Sequence, residues 1–205
     1  MKYNLVYGTV SQAIDGEDEC GDQYLVKELE DSTLIAIADG LGHGKEAAFA
    51  AKKAMQVVNA SNQLSLVDLI KECHEALGDT RGVVMSLVKI TNTTLSWLGV
   101  GNVVGLHWTV DKHQEAKAIL LTGFGGIVGM NLPYLKLSTY EIAAGDTLII
   151  VTDGISNEFT TLKPIQYSMP QIIAQSIMNT YRKKNDDALV LVAQWSAAEE
   201  LLYGK

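Results

Sequence analysis

Short runs of β-branched and aromatic residues bounded by turn residues recur along the chain, and runs of this kind predict strands. Ten such runs are present, at residues 3–10, 23–27, 33–38, 83–90, 94–100, 104–108, 116–121, 135–142, 147–152 and 189–195. Three other stretches place their apolar residues at helical spacing, and they lie at 47–58, 66–77 and 170–181. The pattern therefore predicts strands, two helices, a long run of strands, a third helix and a final strand.

The connections between the middle strands are short, and residues 91–93 are an example. A parallel crossover needs about a dozen residues or more, so these strands are expected to pair antiparallel. Antiparallel strands with segregated helices predict an α+β fold in which two antiparallel sheets pack face to face between helices, an α-β-β-α sandwich. Because no linker divides the chain, one domain is expected over residues 1–197, followed by a C-terminal tail at 198–205.

The charge of the chain bears on its partners. The formal net charge is -8 at pH 7, and Lys and Arg form no extended cluster. Nucleic-acid phosphates are held mainly by such clusters, so a nucleic-acid partner is not expected. An acidic protein that handles phosphorylated partners needs local positive charge, which bound metal ions can provide.

The two cysteines and the apolar runs bear on the compartment. Cys20 and Cys73 are too few for a zinc site or a disulfide framework, which suits a reducing cytoplasm. No apolar run approaches the roughly 20 residues that a membrane-spanning helix needs, and the N-terminus does not resemble a signal peptide. The prediction is a cytoplasmic protein with no membrane partner.

Two predicted strands end in the same way. The strand at 33–38 runs into Asp39-Gly40, and the strand at 147–152 runs into Asp153-Gly154. A carboxylate at the end of a buried strand costs solvation energy unless it is paired or bound to a metal. Asp-Gly on its own is also a favourable turn, so it is the repetition that favours a functional interpretation.

Two further carboxylates stand at the ends of strands. Asp22 directly precedes the strand at 23–27, and Asp186-Asp187 directly precedes the last strand. Four carboxylates from distant parts of the chain could thus converge at one edge of the sandwich. Hard oxygen ligands of this kind suit Mg²⁺ or Mn²⁺ better than zinc or copper.

These motifs, in this order, resemble a known superfamily. They are Cys20-Gly21-Asp22, Asp39-Gly40-Leu41-Gly42-His43-Gly44, Gly101-Asn102, Asp153-Gly154 and Asp186-Asp187. The succession is similar to that of the PPM superfamily of metal-dependent protein phosphatases, in its bacterial SpoIIE-like branch. The stretch at 81–90 is most similar to the stressosome feedback phosphatases of Gram-positive bacteria within that branch.

The resemblance implies a function and a set of roles. It implies a serine/threonine protein phosphatase that uses two divalent cations, Mn²⁺ or Mg²⁺, to activate a water molecule. Asp39 would bridge the two cations, with Asp153 and Asp186 completing the first site; Asp22 and the carbonyl oxygen of Gly40 would serve the second. The substrates would be phosphorylated regulatory proteins, among them STAS-domain components of the stressosome, and a monomer is expected.

The chain departs from the better-known eukaryotic members at two places. Leu41 occupies the position of a histidine that follows the first Asp-Gly, and the loop at 15–19 has no phosphate-holding arginine. The nearby His43 is a candidate for the general acid that protonates the leaving oxygen.

Two alternatives stay open from the residues alone. One is a catalytically silent binding module that keeps the phosphatase fold without its metals. The other is a histidine-kinase-like ATPase, whose nucleotide box requires glycine two and four residues after an aspartate. In this chain Leu41 and His43 occupy those positions after Asp39, which counts against the ATPase.

Overall fold

Two five-stranded antiparallel sheets pack face to face in the computed structural model, which describes residues 3–61, 65–110, 116–162 and 169–197. Sheet A has the strand order β1-β10-β9-β6-β7, and sheet B has the order β2-β3-β4-β5-β8. The predicted tail at 198–205 lies outside the described residues.

Every neighbouring pair of strands in both sheets is antiparallel, as the short connections predict. Sheet A consists of β1 (Tyr3–Gln12), β6 (Val104–Val110), β7 (Ala116–Leu121), β9 (Thr147–Val151) and β10 (Ala188–Ala197). Sheet B consists of β2 (Asp22–Glu28), β3 (Thr33–Gly40), β4 (Val83–Ile90), β5 (Thr94–Val100) and β8 (Ser138–Glu141).

Helices cover the outer faces of the two sheets. Helices α1 (Gly44–Ala60) and α2 (Leu66–Ala76) contribute to the apolar cluster outside sheet B, and α3 (Pro170–Tyr181) contributes to the one outside sheet A. The buried face of α1 is largely alanine, which allows its backbone to come close to β3. Pro170 stands at the start of α3, where its missing N–H leaves no helical bond unmade.

The central core lies between the sheets. Ile35 and Ile37 of β3 and Trp97 of β5 meet Leu191 and Trp195 of β10 in one buried cluster. Strand positions alternate between this core and the helix layers, because successive side chains of a strand point to opposite faces. The predicted α-β-β-α sandwich is confirmed.

Beyond shifts of a few residues at the ends of other elements, the structure differs from the predicted elements in the following ways. The strand predicted at 135–142 is limited to Ser138–Glu141, because Leu135 packs instead against the cluster beneath α1 and α2. Strand β2 begins at Asp22 itself, and β3 extends through Asp39 and Gly40, so these carboxylates lie within the sheet. A 3-10 helix at Asn157–Thr161 was not predicted, because its residues are mostly polar and show no apolar periodicity.

None of the helices in the described ranges is both long enough and apolar enough to cross a bilayer.

Candidate metal centre

Asp22 and Asp39 are directly opposed residues on the neighbouring strands β2 and β3. Directly opposed residues of an antiparallel pair point to the same face of the sheet, where like charges destabilise each other. Strand pairing alone therefore brings together two of the predicted ligands, although 17 positions separate them in the sequence.

The hydroxyl of Thr152 joins the two sheets at this point. Thr152 directly follows β9 of sheet A, and its Oγ1 donates a hydrogen bond of 2.7 Å to Asp22 Oδ2 in sheet B. The backbone N–H of Leu189 in turn donates to Thr152 Oγ1 at 2.8 Å. The next residue, Asp153, is thereby brought to the same end of the sandwich as Asp22.

An open cleft of about 370 Å³ collects most of the predicted site residues. Three carboxylates line it together with a glycine-containing loop and apolar side chains: Asp39, Leu41, Gly42, His43, Val84, Asn102, Ile127, Asp153 and Asp186. Asn102 donates a hydrogen bond of 2.8 Å from Nδ2 to Asp153 Oδ2, which fixes the orientation of that carboxylate. Of the other predicted ligands, Asp22 is buried and Gly40 is packed against α1.

Burial and mutual repulsion raise the pKa values of these carboxyl groups. Burial, followed by the charges of Asp22, Asp153 and Asp186, raises the pKa of Asp39 to about 9. Burial raises the pKa of Asp22 to about 7, against the opposing effect of the Thr152 hydrogen bond. Burial and the charge of Asp153 also raise the pKa of Asp186. Full ionisation of the group is therefore unfavourable unless a cation compensates the charge, and without a cation some of these carboxyl groups retain their protons.

One oxygen of this group lacks a donor. Asp22 is only 2% exposed, and its Oδ1 has no hydrogen-bond partner among the described residues. A buried carboxylate oxygen with no donor is costly in an apolar setting, whereas a divalent cation satisfies it directly. The donor set is entirely oxygen, so the residues present fit Mg²⁺ or Mn²⁺.

The side chains do not already form a closed coordination shell. Within the described part of the chain, no three His, Cys, Asp or Glu side chains are arranged so that they could hold a metal ion as they stand. Two of the carboxylates are engaged by other groups: Asp22 accepts from Thr152, and Asp153 accepts from Asn102. Ion binding therefore requires rotation of carboxylate side chains that the backbone has already brought to one place.

Asp187 supports the site from behind. It is only 3% exposed, its Oδ1 accepts from Ile14 N at 2.8 Å, and its Oδ2 accepts from Gly21 N at 2.9 Å. These bonds tie the loop before Asp22 to the start of β10. The sequence shows only that Asp187 adjoins the predicted ligand Asp186, and the structure shows that it is a buried anchor for this loop.

The glycine after each Asp has a packing role. A Cβ at Gly40 would collide with the carbonyl of Ala47 in α1, and a Cβ at Gly154 would collide with the carbonyl oxygen of Asp187. Both glycines thus allow a second segment to lie directly against the strand end that carries a carboxylate. The repeated Asp-Gly is explained by this close approach of backbones.

A histidine and an arginine border the cleft. Nδ1 of His43, at the start of α1, lies 2.9 Å from Glu17 Oε1. The guanidinium of Arg81 lies against Gly42 and pairs with the exposed carboxylate of Glu46. No sequence signal places Arg81 at this cleft, because it lies 39 positions after Gly42 and only tertiary packing brings the two together.

Known proteins share this fold. Phosphoserine phosphatase RsbX of Bacillus subtilis (strain 168) is 26% identical over 144 residues, which cover 69% of this chain and 70% of RsbX. A crystal structure of RsbX in complex with magnesium matches with a TM-score of 0.80 and 21% identity, over 94% of this chain and 96% of that one. A chain from a study of the bacterial stressosome as a modular system adapted to control secondary messenger signalling matches with a TM-score of 0.84 and 31% identity, over 93% and 100% of the two chains.

A protein-family model also matches most of this chain. The model of stage II sporulation protein E (SpoIIE) matches residues 30–196, from the start of β3 to the end of β10. This range contains Asp39, Asp153 and Asp186 together with the cleft between them. By this match and by its fold, the chain belongs to the SpoIIE family, within the PPM type of phosphatase.

Proposed function

We propose that this chain is a metal-dependent protein phosphatase that hydrolyses phosphoserine and phosphothreonine. The observation that carries the proposal is the gathering of Asp39, Asp153 and Asp186 in one cleft, with the unsatisfied Oδ1 of buried Asp22 close behind it. Such a site has the ligands for cations and an opening for a phosphorylated side chain. The similarity to a phosphoserine phosphatase supports the same activity.

Each carboxylate has a proposed role in holding two divalent cations, Mg²⁺ or Mn²⁺. Asp39 would be shared by both cations, Asp153 and Asp186 would complete the first position, and Asp22 with the Gly40 carbonyl oxygen would serve the second. Cations bound in this way supply Lewis-acid activation of water and positive charge opposite the phosphoryl oxygens.

The surrounding residues orient these ligands. Asn102 and Thr152 hold Asp153 and Asp22 through hydrogen bonds of 2.8 Å and 2.7 Å. Partners of this kind fix the rotamers of metal ligands, and their loss typically weakens metal affinity by about 10- to 100-fold. Asp187 holds the loop that leads into Asp22.

Arg81 and His43 are the side chains proposed to contact the phosphorylated substrate. Five carboxylates at the site, from Asp22 to Asp187, would roughly neutralise two divalent cations, so a phosphate dianion needs further positive charge. Arg81 supplies it, because its present pairing with an exposed Glu46 is weak and can be exchanged for phosphate oxygens. His43, which lines the cleft, is the candidate proton donor to the leaving seryl oxygen.

The proposed substrates are phosphorylated regulatory proteins, specifically STAS-domain components of a stress-signalling complex. The similarity to a chain from a stressosome study supports this choice. The proposed compartment is the cytoplasm, where free thiols such as Cys20 and Cys73 persist, and the proposed state is a monomer organised as one domain at 1–197 with a tail at 198–205.

Hydrolysis of p-nitrophenyl phosphate with and without Mn²⁺ or Mg²⁺ tests the activity. Turnover should require the ion, cease in EDTA and return when the ion is restored. Folded protein that shows no turnover with either ion would instead be a silent binding module with the phosphatase fold. The histidine-kinase-like ATPase is not favoured, because the matching family and the antiparallel sandwich belong to phosphatases.

A further inference from the structure

The segment between β7 and β8 presents an unusual amount of apolar surface. Four of the eleven exposed large hydrophobic side chains in the described ranges lie in it, namely Phe124, Met130, Tyr134 and Leu137. Met130 is 62% exposed and Tyr134 is 79% exposed. Lys136 is the one charged residue in the segment, and no acidic residue lies in it, although the whole chain carries a net charge of -8. Concentrated apolar surface with little charge marks an interaction site.

This surface is held in place by the fold. Val128 exchanges two backbone hydrogen bonds with Val83 at the start of β4, of 2.8 Å and 3.0 Å. Ile127 and Asn131 exchange a second pair of backbone bonds, both of 2.9 Å. The ring of Phe124 meets the ring of Tyr134 edge to face, with centroids 6.4 Å apart. A partner would therefore meet a surface that is already ordered, which lowers the entropic cost of binding.

The surface is continuous with the cleft. Ile127 lines the cleft together with Asp39 and Asp153. Ile127 and Met130 both pack against Gly82, the residue after Arg81. A phosphoserine that enters the cleft must bring the protein surface around it against this side of the opening. We name Phe124, Ile127, Met130, Tyr134 and Leu137 the apolar rim.

We propose that the apolar rim is the docking surface for the folded phosphoprotein substrate, and that it recognises a neutral, apolar patch beside the phosphoserine. This inference rests on the proposed function. Continuity with the cleft selects the substrate over a second copy of the chain, because a copy seated on the rim would obstruct the cleft. Charge points the same way, since the segment that carries most of the rim has no acidic side chain and a negatively charged phosphoprotein can approach there without like-charge repulsion from it.

A double variant, Met130→Ser with Tyr134→Ser, tests the proposal, because both side chains are exposed; its circular dichroism spectrum checks that it remains folded. The matched control is Ile172→Ser on α3, where the side chain is 61% exposed and lies outside the rim. The two substrates are p-nitrophenyl phosphate and a serine-phosphorylated STAS-domain protein, with Mn²⁺ present. Binding of the same phosphoprotein to each variant is measured by surface plasmon resonance as a readout independent of turnover.

The double variant should lose about tenfold or more in kcat/KM for the phosphoprotein, through KM, with a matching loss of binding. Its kcat/KM for p-nitrophenyl phosphate should stay within about twofold of the wild-type value, and Ile172→Ser should match wild type on both substrates.

Unchanged phosphoprotein kinetics, or an equal loss on both substrates, would overturn the docking role. The docking role would also be overturned if wild-type protein hydrolysed p-nitrophenyl phosphate but not the phosphoprotein. A wild-type dimer that the double variant converts to a monomer would overturn it as well, because the rim would then be an interface between two copies of the chain. Wild-type protein that hydrolyses neither substrate contradicts the proposed function, and the binding measurement then decides the docking role separately.

Discussion

Asp22 and Asp39 stand directly opposite each other on β2 and β3, and the charge of Asp22 contributes to the raised pKa of Asp39. Such a pair weakens an ordinary antiparallel sheet. Here it lies at the end of the sandwich that also holds Asp153 and Asp186, so local stability is lower where the proposed ligands gather.

The first prediction concerns pH. In EDTA-treated protein, the free energy of unfolding should fall as pH rises from 5 to 8. The folded-state pKa of Asp22 is about 7 and that of Asp39 about 9, against 3.8 for an ordinary Asp, so the folded state binds more protons than the unfolded chain in this window. Each fully engaged group lowers stability by up to about 1.4 kcal/mol per pH unit. Urea unfolding at four pH values measures the slope.

Asp39→Asn is the control for this slope, because it removes one of the two titrations and should flatten the curve and stabilise the EDTA-treated protein near pH 8. A parallel curve for the variant and for wild type would show that Asp39 does not contribute to the pH dependence.

The second prediction concerns activity. Asp39→Asn should lower Mn²⁺-dependent turnover of p-nitrophenyl phosphate by more than about 100-fold, because a neutral amide is a poor bridging ligand. The circular dichroism spectrum should remain that of the wild type. Asp79→Asn removes an exposed carboxylate paired with Lys53 and should leave turnover unchanged. Near wild-type activity in Asp39→Asn would show that the site is misassigned.

The third prediction concerns the residue that bridges the sheets. Thr152→Val keeps the shape of the side chain but removes the hydroxyl that donates to Asp22. The Mn²⁺ concentration for half-maximal activity should rise by about 10- to 100-fold. Thr160→Val removes a hydroxyl that donates to Asn157 within the 3-10 helix, and it should leave the metal requirement unchanged. If both variants needed the same Mn²⁺ concentration for half-maximal activity, Thr152 would have no role in metal binding.

The fourth prediction concerns packing. Gly154→Ala should destabilise the fold by about 2 kcal/mol or more, because the new methyl group collides with the backbone of Asp187. Gly125→Ala is the control, since a Cβ there has no atom within 4 Å. Thermal unfolding of the two variants measures the difference, and equal midpoints would mean that the backbone at Gly154 can move aside freely.

The fifth prediction concerns phosphate. Arg81→Ala should raise KM for p-nitrophenyl phosphate, and the inhibition constant of inorganic phosphate, by about tenfold. Lys53→Ala removes a comparable surface ion pair with Asp79 and should change neither value. If the two variants behave alike, Arg81 contributes only a surface ion pair with Glu46.

The fold could be predicted from the sequence because its signals are local. Strand positions such as 83–90 and 94–100 agree fully with β4 and β5, since β-branched runs end at clear turn residues. The extent of β8 could not be predicted, because Leu135 satisfies its hydrophobicity by tertiary packing rather than by strand pairing.

The sequence reveals the proposed metal ligands better than it reveals the residues that hold those ligands in place. Repeated Asp-Gly and family resemblance point to the carboxylates, which remain a prediction until metal binding is measured. The supports have no such signal: Thr152 resembles any strand residue, and Asp187 resembles a solvated neighbour until its bonds to Ile14 and Gly21 are seen. Long-range hydrogen bonds leave no periodic trace in a sequence.

The position of β10 has a consequence for biosynthesis. This last strand pairs with β1 on one side and with β9 on the other, so sheet A cannot be assembled until its final residues are available. On the ribosome, β1 must therefore remain without its partner until synthesis has passed β10. Premature termination before β10 would leave both β1 and β9 with exposed edges, and such fragments should be strongly prone to aggregation and to capture by chaperones.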